Sequence, residues 1–163
     1  MNYINDKNYF CIDGHVHSSP SRAKRTIDGA RENGLDAIIL TDFSRFDTFD
    51  ALKENKTKEG NIVLPDDYER KILSPNLLVI NADDSKKKLY VGKGEEIRTV
   101  KGDVLAWFID YLVDKGKALT TTIDDIYEQE GIVGYPHLYA RFFNGGGEKE
   151  FLRNLYLFDI DNP

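Results

Sequence analysis

The sequence predicts one domain of the α/β class, and three observations lead to that prediction. The chain has 163 residues, of which 40% are apolar, as is normal for one globular domain with a buried core. Short apolar runs alternate with segments of helical periodicity. No repeat, low-complexity tract or linker divides residues 1–163. Strands that alternate with helices favour a parallel sheet, whose ligand sites lie at the carboxyl ends of the strands.

The first elements are a strand, a helix and a second strand. An apolar run at 10–12 predicts the first strand. A helix is predicted over 21–33, because apolar residues recur on one face and Gly34 follows, where a glycine ends many helices. The residues of that face are Ala23, Ile27 and Ala30. The apolar run 35–40 then predicts a buried strand.

The rest of the chain alternates in the same way. A helix is predicted over 122–131, with Thr122 as a candidate N-cap, acidic residues in the first turn and Gly131 at its end. Further apolar runs predict strands over 77–80, 89–91, 104–109, 132–135 and 155–160.

Composition argues against two classes of partner. A formal net charge of −6 opposes broad nucleic-acid binding, which depends on clustered Lys and Arg. No apolar run approaches the roughly 20 residues that cross a bilayer, and the first residues lack a signal-peptide core. We therefore expect a soluble, cytoplasmic protein without a membrane partner.

The most informative motif is the pair His15 and His17 at the end of the first predicted strand. Alternate residues of an extended segment point the same way, so both imidazoles can face one cavity and bind a metal ion. The alternative is a pair of surface or hydrogen-bonded histidines. Later strand ends favour the metal, because they carry Asp42, Glu96 and His137. Imidazole and carboxylate ligands suit zinc, iron or manganese.

Four segments, in this order along the chain, resemble the motifs of the polymerase and histidinol phosphatase (PHP) family. They are Asp13-Gly14-His15-Val16-His17-Ser18, 34–42, Gly94-Glu95-Glu96-Ile97 and 131–137. The resemblance implies a distorted barrel of seven βα units, a PHP-type TIM-like barrel with a cluster of divalent metal ions at its carboxyl end. It also implies hydrolysis of phosphate esters.

The resemblance assigns roles to individual residues. His15 and His17 match the paired metal ligands, and Glu96 matches the glutamate that commonly bridges metals, which makes Glu95 an outward neighbour. Alignment on Pro136 puts Tyr135 at the later ligand position, with His137 two residues beyond it as the alternative ligand.

Asp42 matches the aspartate of the family's Thr-Asp-His motif, usually a group that orients a ligand. We count it, with Arg141, as an expected catalytic residue. Arg141, Arg98 and Arg22 are the candidates for gripping the substrate phosphate. Each of the three is otherwise a solvent-facing side chain.

The chain also departs from the family pattern. Phe43 stands where a third histidine ligand is expected, and Asp103 stands where many members have a histidine. Asp103 is either a replacement metal ligand or a surface residue that opens a strand. The family would continue beyond Pro163 to a further strand with an Asp-x-His pair. The chain is thus expected to be either a truncated barrel or a degenerate member, with its open edge covered by the N-terminal segment, by a second copy or by another partner chain.

The sequence therefore leaves three functions open. The first is a metal-dependent phosphoesterase that acts on a small phosphate ester or nucleotide through a metal-activated water. The second is a non-catalytic relative that binds a phosphorylated ligand or a protein. The third is a structural histidine cluster without metal.

Overall fold

One long strand organises the structure. The computed structural model describes residues 9–82 and 88–137. The longest element, β5, runs for 11 residues and pairs with three other strands. In chain order the elements are β1 (Ile12–Val16), α1 (Ala23–Glu32), β2 (Ala37–Leu40), α2 (Asp47–Glu54), β3 (Tyr68–Ser74), β4 (Leu77–Ala82), β5 (Leu89–Thr99), β6 (Gly102–Trp107), α3 (Leu119–Tyr127) and β7 (Ile132–Gly134).

The strands form one curled sheet that makes a half-barrel. Its main part has the strand order β1-β2-β5-β4-β3. Strand β6 pairs with the second half of β5, and β7 pairs with β6. Strands β1, β2 and β5 are parallel. Their carboxyl ends therefore lie at one edge, as the sequence predicts, and the α/β class is confirmed.

Lys93 marks the point where β5 changes partner. Its amide donates to the Asn76 carbonyl before β4 (2.9 Å), and its carbonyl accepts from the Phe108 amide after β6 (2.7 Å). The strand therefore has β4 beside its first half and β6 beside its second half. This change of partner lets the sheet curl around β5.

The prediction of a parallel sheet is wrong for four strands. Strands β3, β4, β6 and β7 all pair antiparallel. For the pairs β3/β4 and β5/β6 the reason is the length of the connection, because only 75–76 separate β3 from β4 and only 100–101 separate β5 from β6. A two-residue link joins antiparallel strands, whereas a parallel crossover needs about a dozen residues.

Three other details differ from the predictions. Strand β3 was not predicted, because its charged sequence lies exposed at the sheet edge. Thr122 is not a cap, since helix α3 begins after Ala118 and the Thr122 hydroxyl donates to the Ala118 carbonyl at 3.1 Å. The strand predicted over 155–160 lies outside the described residues.

Two apolar cores lie along the sheet. The first packs α1 and α2 against β2, β4 and the start of β5, and the predicted face of α1 (Ala23, Ile27 and Ala30) is buried in it. The second packs α3 against β6 and the end of β5. Within the described ranges, no helix combines the length and apolar character needed to cross a membrane.

Candidate metal centre

Two histidines and one glutamate meet at the carboxyl end of β1. His17 Nε2 lies 2.7 Å from Glu96 Oε2, and His15 Nε2 lies 3.0 Å from the same oxygen. The two Nε2 atoms are themselves 3.0 Å apart. Glu96 is buried, with 1% of its surface exposed. The two imidazoles therefore face one point, as the His-x-His spacing predicts.

His137 approaches the same carboxylate from the other end of the sheet. It follows β7 with a backbone φ of 57°, and its Nε2 lies 3.6 Å from Glu96 Oε1. Three ligand atoms, one each from His15, Glu96 and His137, lie within 4.8 Å of one another. Tyr135, the other residue considered for this position, packs instead against the second core.

These atoms fit a divalent metal ion. Glu96 Oε1 is buried and makes no hydrogen bond within residues 9–82 and 88–137. A buried polar atom without a partner is costly, so this oxygen favours a cation beside it. Zinc bonds of about 2.0–2.2 Å put neighbouring ligand atoms roughly 3.0–3.5 Å apart, close to the distances seen here. His15, Glu96 and His137 would hold the ion, and His17, whose Nε2 contacts the other oxygen of the same Glu96 carboxylate, Oε2, is a further candidate ligand. This N/O donor set suits zinc, manganese or iron.

Trp107 ties the strands that bear these ligands together. Its indole Nε1 donates to the Gly14 carbonyl at 2.8 Å, next to His15. The ring covers both Gly14 and Gly134, where an added Cβ would lie 2.9 Å from Trp107 Cζ2. Two glycines are therefore required for β1 and β7 to approach one indole. This packing brings the His15 and His137 ends of the sheet close together.

Asp42 supports the site from behind His17. Its Oδ1 accepts a hydrogen bond from the Ser18 amide and its Oδ2 accepts one from the Thr48 hydroxyl, both at 2.7 Å. His17 Nδ1 lies 4.0 Å from Asp42 Oδ1. The carboxylate thus fixes the segment that follows β1 and faces the far side of the His17 ring. This is the position of a group that orients a ligand.

Phe43 packs directly on a ligand. Its ring stacks on the His17 ring with centroids 4.9 Å apart and an angle of 16° between the planes. Its backbone pairs with Glu96 in a parallel bridge, and the Arg98 guanidinium lies 5.8 Å from the ring centroid. The aromatic ring thus fills the space beside His17 that a third imidazole was expected to occupy.

Glu95 corrects one expectation. It was predicted to face outward beside Glu96, but none of its surface is exposed. Successive residues of a strand point to opposite faces, so Glu95 enters the interior on the side away from the metal centre. Its Oε2 accepts a hydrogen bond from the Val113 amide at 3.0 Å. Burial raises the pKa of the Glu95 carboxyl to about 7, although the Val113 and Ser44 amides oppose the rise.

Asp103 and Arg98 pair with each other. They face each other across β5 and β6, and Arg98 Nε lies 3.4 Å from Asp103 Oδ1. Asp103 is buried, but its carboxylate does not join the ligand atoms gathered by His15, Glu96 and His137. Its observed role is therefore to fix the Arg98 side chain.

Arg22 lies beside the metal centre in an open cleft of about 480 Å³. We call this the arginine cleft, lined among others by His17, Arg22, Phe43 and Arg45. Arg45 was missed by sequence reasoning, because nothing in its spacing relates it to Arg22. Arg141 lies outside the described residues.

Trp107 and Thr48 were missed as well. Trp107 stood within a predicted strand, where an indole usually belongs to the core, and Thr48 had no motif around it. No protein-family model, no curated protein and no solved structure matches this chain. The geometry of the centre is therefore the main guide to what the protein does.

Proposed function

We propose that the protein is a metal-dependent phosphoesterase of the PHP type that hydrolyses a small phosphate ester or nucleotide. The observation that carries this proposal is the convergence of three imidazoles on one buried carboxylate, Glu96. The chain has only three histidines, and all of them meet at this point.

The arrangement of the site along the chain supports the proposal. His15 lies on β1 and Glu96 on β5, His17 and His137 follow β1 and β7, and Asp42 follows β2, so all of them border one end of the curled sheet. A distorted barrel of seven βα units would place its ligands at such an end. That finer description of the fold is part of the proposal, and the half-barrel is compatible with it.

The residues of the site have separable roles. A divalent ion bound there supplies Lewis acidity and an activated water at neutral pH. His15, Glu96 and His137 would hold it, with His17 beside the same carboxylate. Asp42 keeps the His17 ring in place through its bonds to Ser18 and Thr48. Arg98, two residues after Glu96 on β5, offers a guanidinium to phosphoryl oxygens.

A non-catalytic binding protein is the second candidate, and Phe43 favours it. An aromatic ring stacked on His17 removes one potential ligand position. A protein that has kept only part of a metal cluster can retain the ion and the phosphate-binding groups without turnover. Turnover measured with the metal site fully occupied distinguishes the phosphoesterase from the binding protein.

Two neighbouring glutamates, Glu95 and Glu96, give a matched pair of variants that tests the proposal. Elemental analysis should find at least one equivalent of Zn, Mn or Fe per chain, and a panel of phosphate mono- and diesters should reveal turnover. Glu96→Gln should lose the metal and the activity. Glu95→Gln, an equally buried change on the opposite face of β5, should keep both.

Each outcome separates the candidates. Metal without turnover on any ester would favour the binding protein. Equal metal content in the two variants would refute the assignment of Glu96, and an absence of metal after reconstitution would leave the histidines as a structural cluster. Circular dichroism of both variants shows that the comparison is between folded proteins.

A further inference from the structure

The arginine cleft is positively charged in a protein that is acidic as a whole. The chain carries 28 Asp and Glu residues against 22 Lys and Arg. Arg22 and Arg45 nevertheless line one cleft together, and within the described ranges neither guanidinium forms an ion pair. Two arginines without a carboxylate partner leave their planar donor groups available to an anion.

Among the described residues that line the arginine cleft, the one carboxylate is already engaged. Asp42 is buried, and both of its oxygens accept hydrogen bonds, from the Ser18 amide and the Thr48 hydroxyl. Another large cavity of the molecule, about 530 Å³, is by contrast lined by four acidic residues and two lysines. The arginine cleft is therefore suited to anions in a way that this other cavity is not.

Hydroxyl groups and an aromatic ring complete the lining. Ser19 and Ser21 line the cleft, and their hydroxyls lie 3.1 Å apart. The helical segment that begins beside them, Pro20–Arg22 followed by α1, has no acidic residue in the first turn of either part. Phe43 is 47% exposed and adds apolar surface. The lining thus offers charged donors, hydroxyls and a face for carbon atoms.

The arginine cleft meets the metal centre at His17. His17 and Asp42 line the cleft, while the opposite edge of the His17 ring faces Glu96 at 2.7 Å. A ligand that reaches the metal centre with one end can therefore lie along His17 and Phe43 with the other. A volume of about 480 Å³ is within the usual range for small-molecule sites.

We propose that the arginine cleft binds a second phosphate of the substrate, so that the preferred substrate is a bisphosphate. This inference rests on the proposed function. In the reaction, one water adds its oxygen to the phosphorus at the metal centre, the ester P–O bond breaks, and the alcohol oxygen takes the proton. The products are inorganic phosphate and an alcohol that still carries the second phosphate, held by Arg22 and Arg45.

Two esters that differ only in the second phosphate test this specificity. Butane-1,4-diol bisphosphate and butyl phosphate present the same reacting group to the metal-loaded protein. We expect kcat/KM to be about 10- to 100-fold higher for the bisphosphate, the range given by one charge-assisted hydrogen bond. Arg22→Ala and Arg45→Ala should each reduce that preference, mainly through KM.

Arg25→Ala is the matched control. Arg25 is exposed near the start of α1, the helix that follows Arg22, but it lines a different cavity. Its removal therefore changes the net charge equally without touching the arginine cleft. It should retain the preference for the bisphosphate. A similar loss of preference in all three variants would show a general electrostatic effect and would overturn the proposal.

A binding measurement separates this proposal from the proposed function. Inorganic phosphate is titrated into EDTA-treated protein and followed by NMR, with the expectation that Arg22→Ala and Arg45→Ala weaken binding and Arg25→Ala does not. Arginine-dependent binding without turnover of either ester would refute the phosphoesterase and keep the anion site. Turnover of both esters at equal kcat/KM, unaffected by the arginine variants, would refute the cleft and keep the phosphoesterase.

Discussion

His17 Nε2 and Glu96 Oε2 lie 2.7 Å apart, which joins the end of β1 to the middle of β5 across the intervening β2. His15 approaches the same oxygen at 3.0 Å. Ligand atoms this close together match the spacing of donors around one divalent ion. This contact underlies the first prediction.

Metal binding should stabilise the folded protein through these residues. A ligand present at 100 times its dissociation constant adds about 2.7 kcal/mol to the free energy of unfolding. In a chain of this size we expect Tm to rise by roughly 5–10 °C when zinc or manganese is added to EDTA-treated protein. Differential scanning calorimetry measures this rise in Tm. His17→Ala should abolish the rise, and a rise that persists in that variant would place the metal elsewhere.

The positions of the histidines were predictable because strand periodicity and short spacing determine them. His15 and His17 share a direction on any extended strand, and the order of motifs placed Glu96 and His137 near them. The contacts of Trp107 with Gly14 and of Arg98 with Asp103 were not predictable. They join residues far apart in the chain or on opposing strands whose register cannot be read from local pattern. The antiparallel pairs β3/β4 and β5/β6 follow from their two-residue links. Those links were not visible in the sequence, because β3 and the second half of β5 lack the apolar runs by which strands were predicted.

Glu95 should make stability depend on pH. Its pKa is raised from the ordinary 4.5 to about 7 in the folded protein, so the native state keeps the proton at pH values where the unfolded chain has lost it. The free energy of unfolding must therefore fall as pH rises between those two values. The fall attributable to this carboxyl is at most about 3 kcal/mol.

Glu95→Gln removes that dependence, because glutamine does not ionise and can still accept the Val113 hydrogen bond. Urea unfolding of both proteins in EDTA, at intervals from pH 4.5 to 8, measures the difference. The variant should gain stability relative to the parent as pH rises through this window. If the free energy of unfolding changed with pH in the same way in both proteins, the raised pKa of Glu95 would be contradicted.

Phe43→His should add a metal ligand. The Phe43 ring already lies face to face with the His17 imidazole at 4.9 Å, so an imidazole at this position is close to the centre. We expect tighter zinc binding, or a second equivalent of zinc per chain, in competition with a fluorescent chelator. Phe43→Leu, which keeps an apolar side chain but no ligand, should show neither effect. Identical affinities for the two variants would contradict a ligand position beside His17.

Gly14→Ala should disturb the centre without touching a ligand. The new methyl group would lie 2.9 Å from Trp107 Cζ2, so either the indole or β1 must shift. Overpacking of this kind costs typically about 1–3 kcal/mol, and it should also weaken metal binding because His15 follows directly.

Gly29→Ala is the control, since a Cβ there meets nothing within 4 Å in the interior of α1. That change should stabilise the protein by roughly 0.5–1 kcal/mol and leave metal affinity unchanged. Zinc affinity and urea unfolding of the two variants check the contrast, and equal metal affinities would show that the indole contact does not position His15.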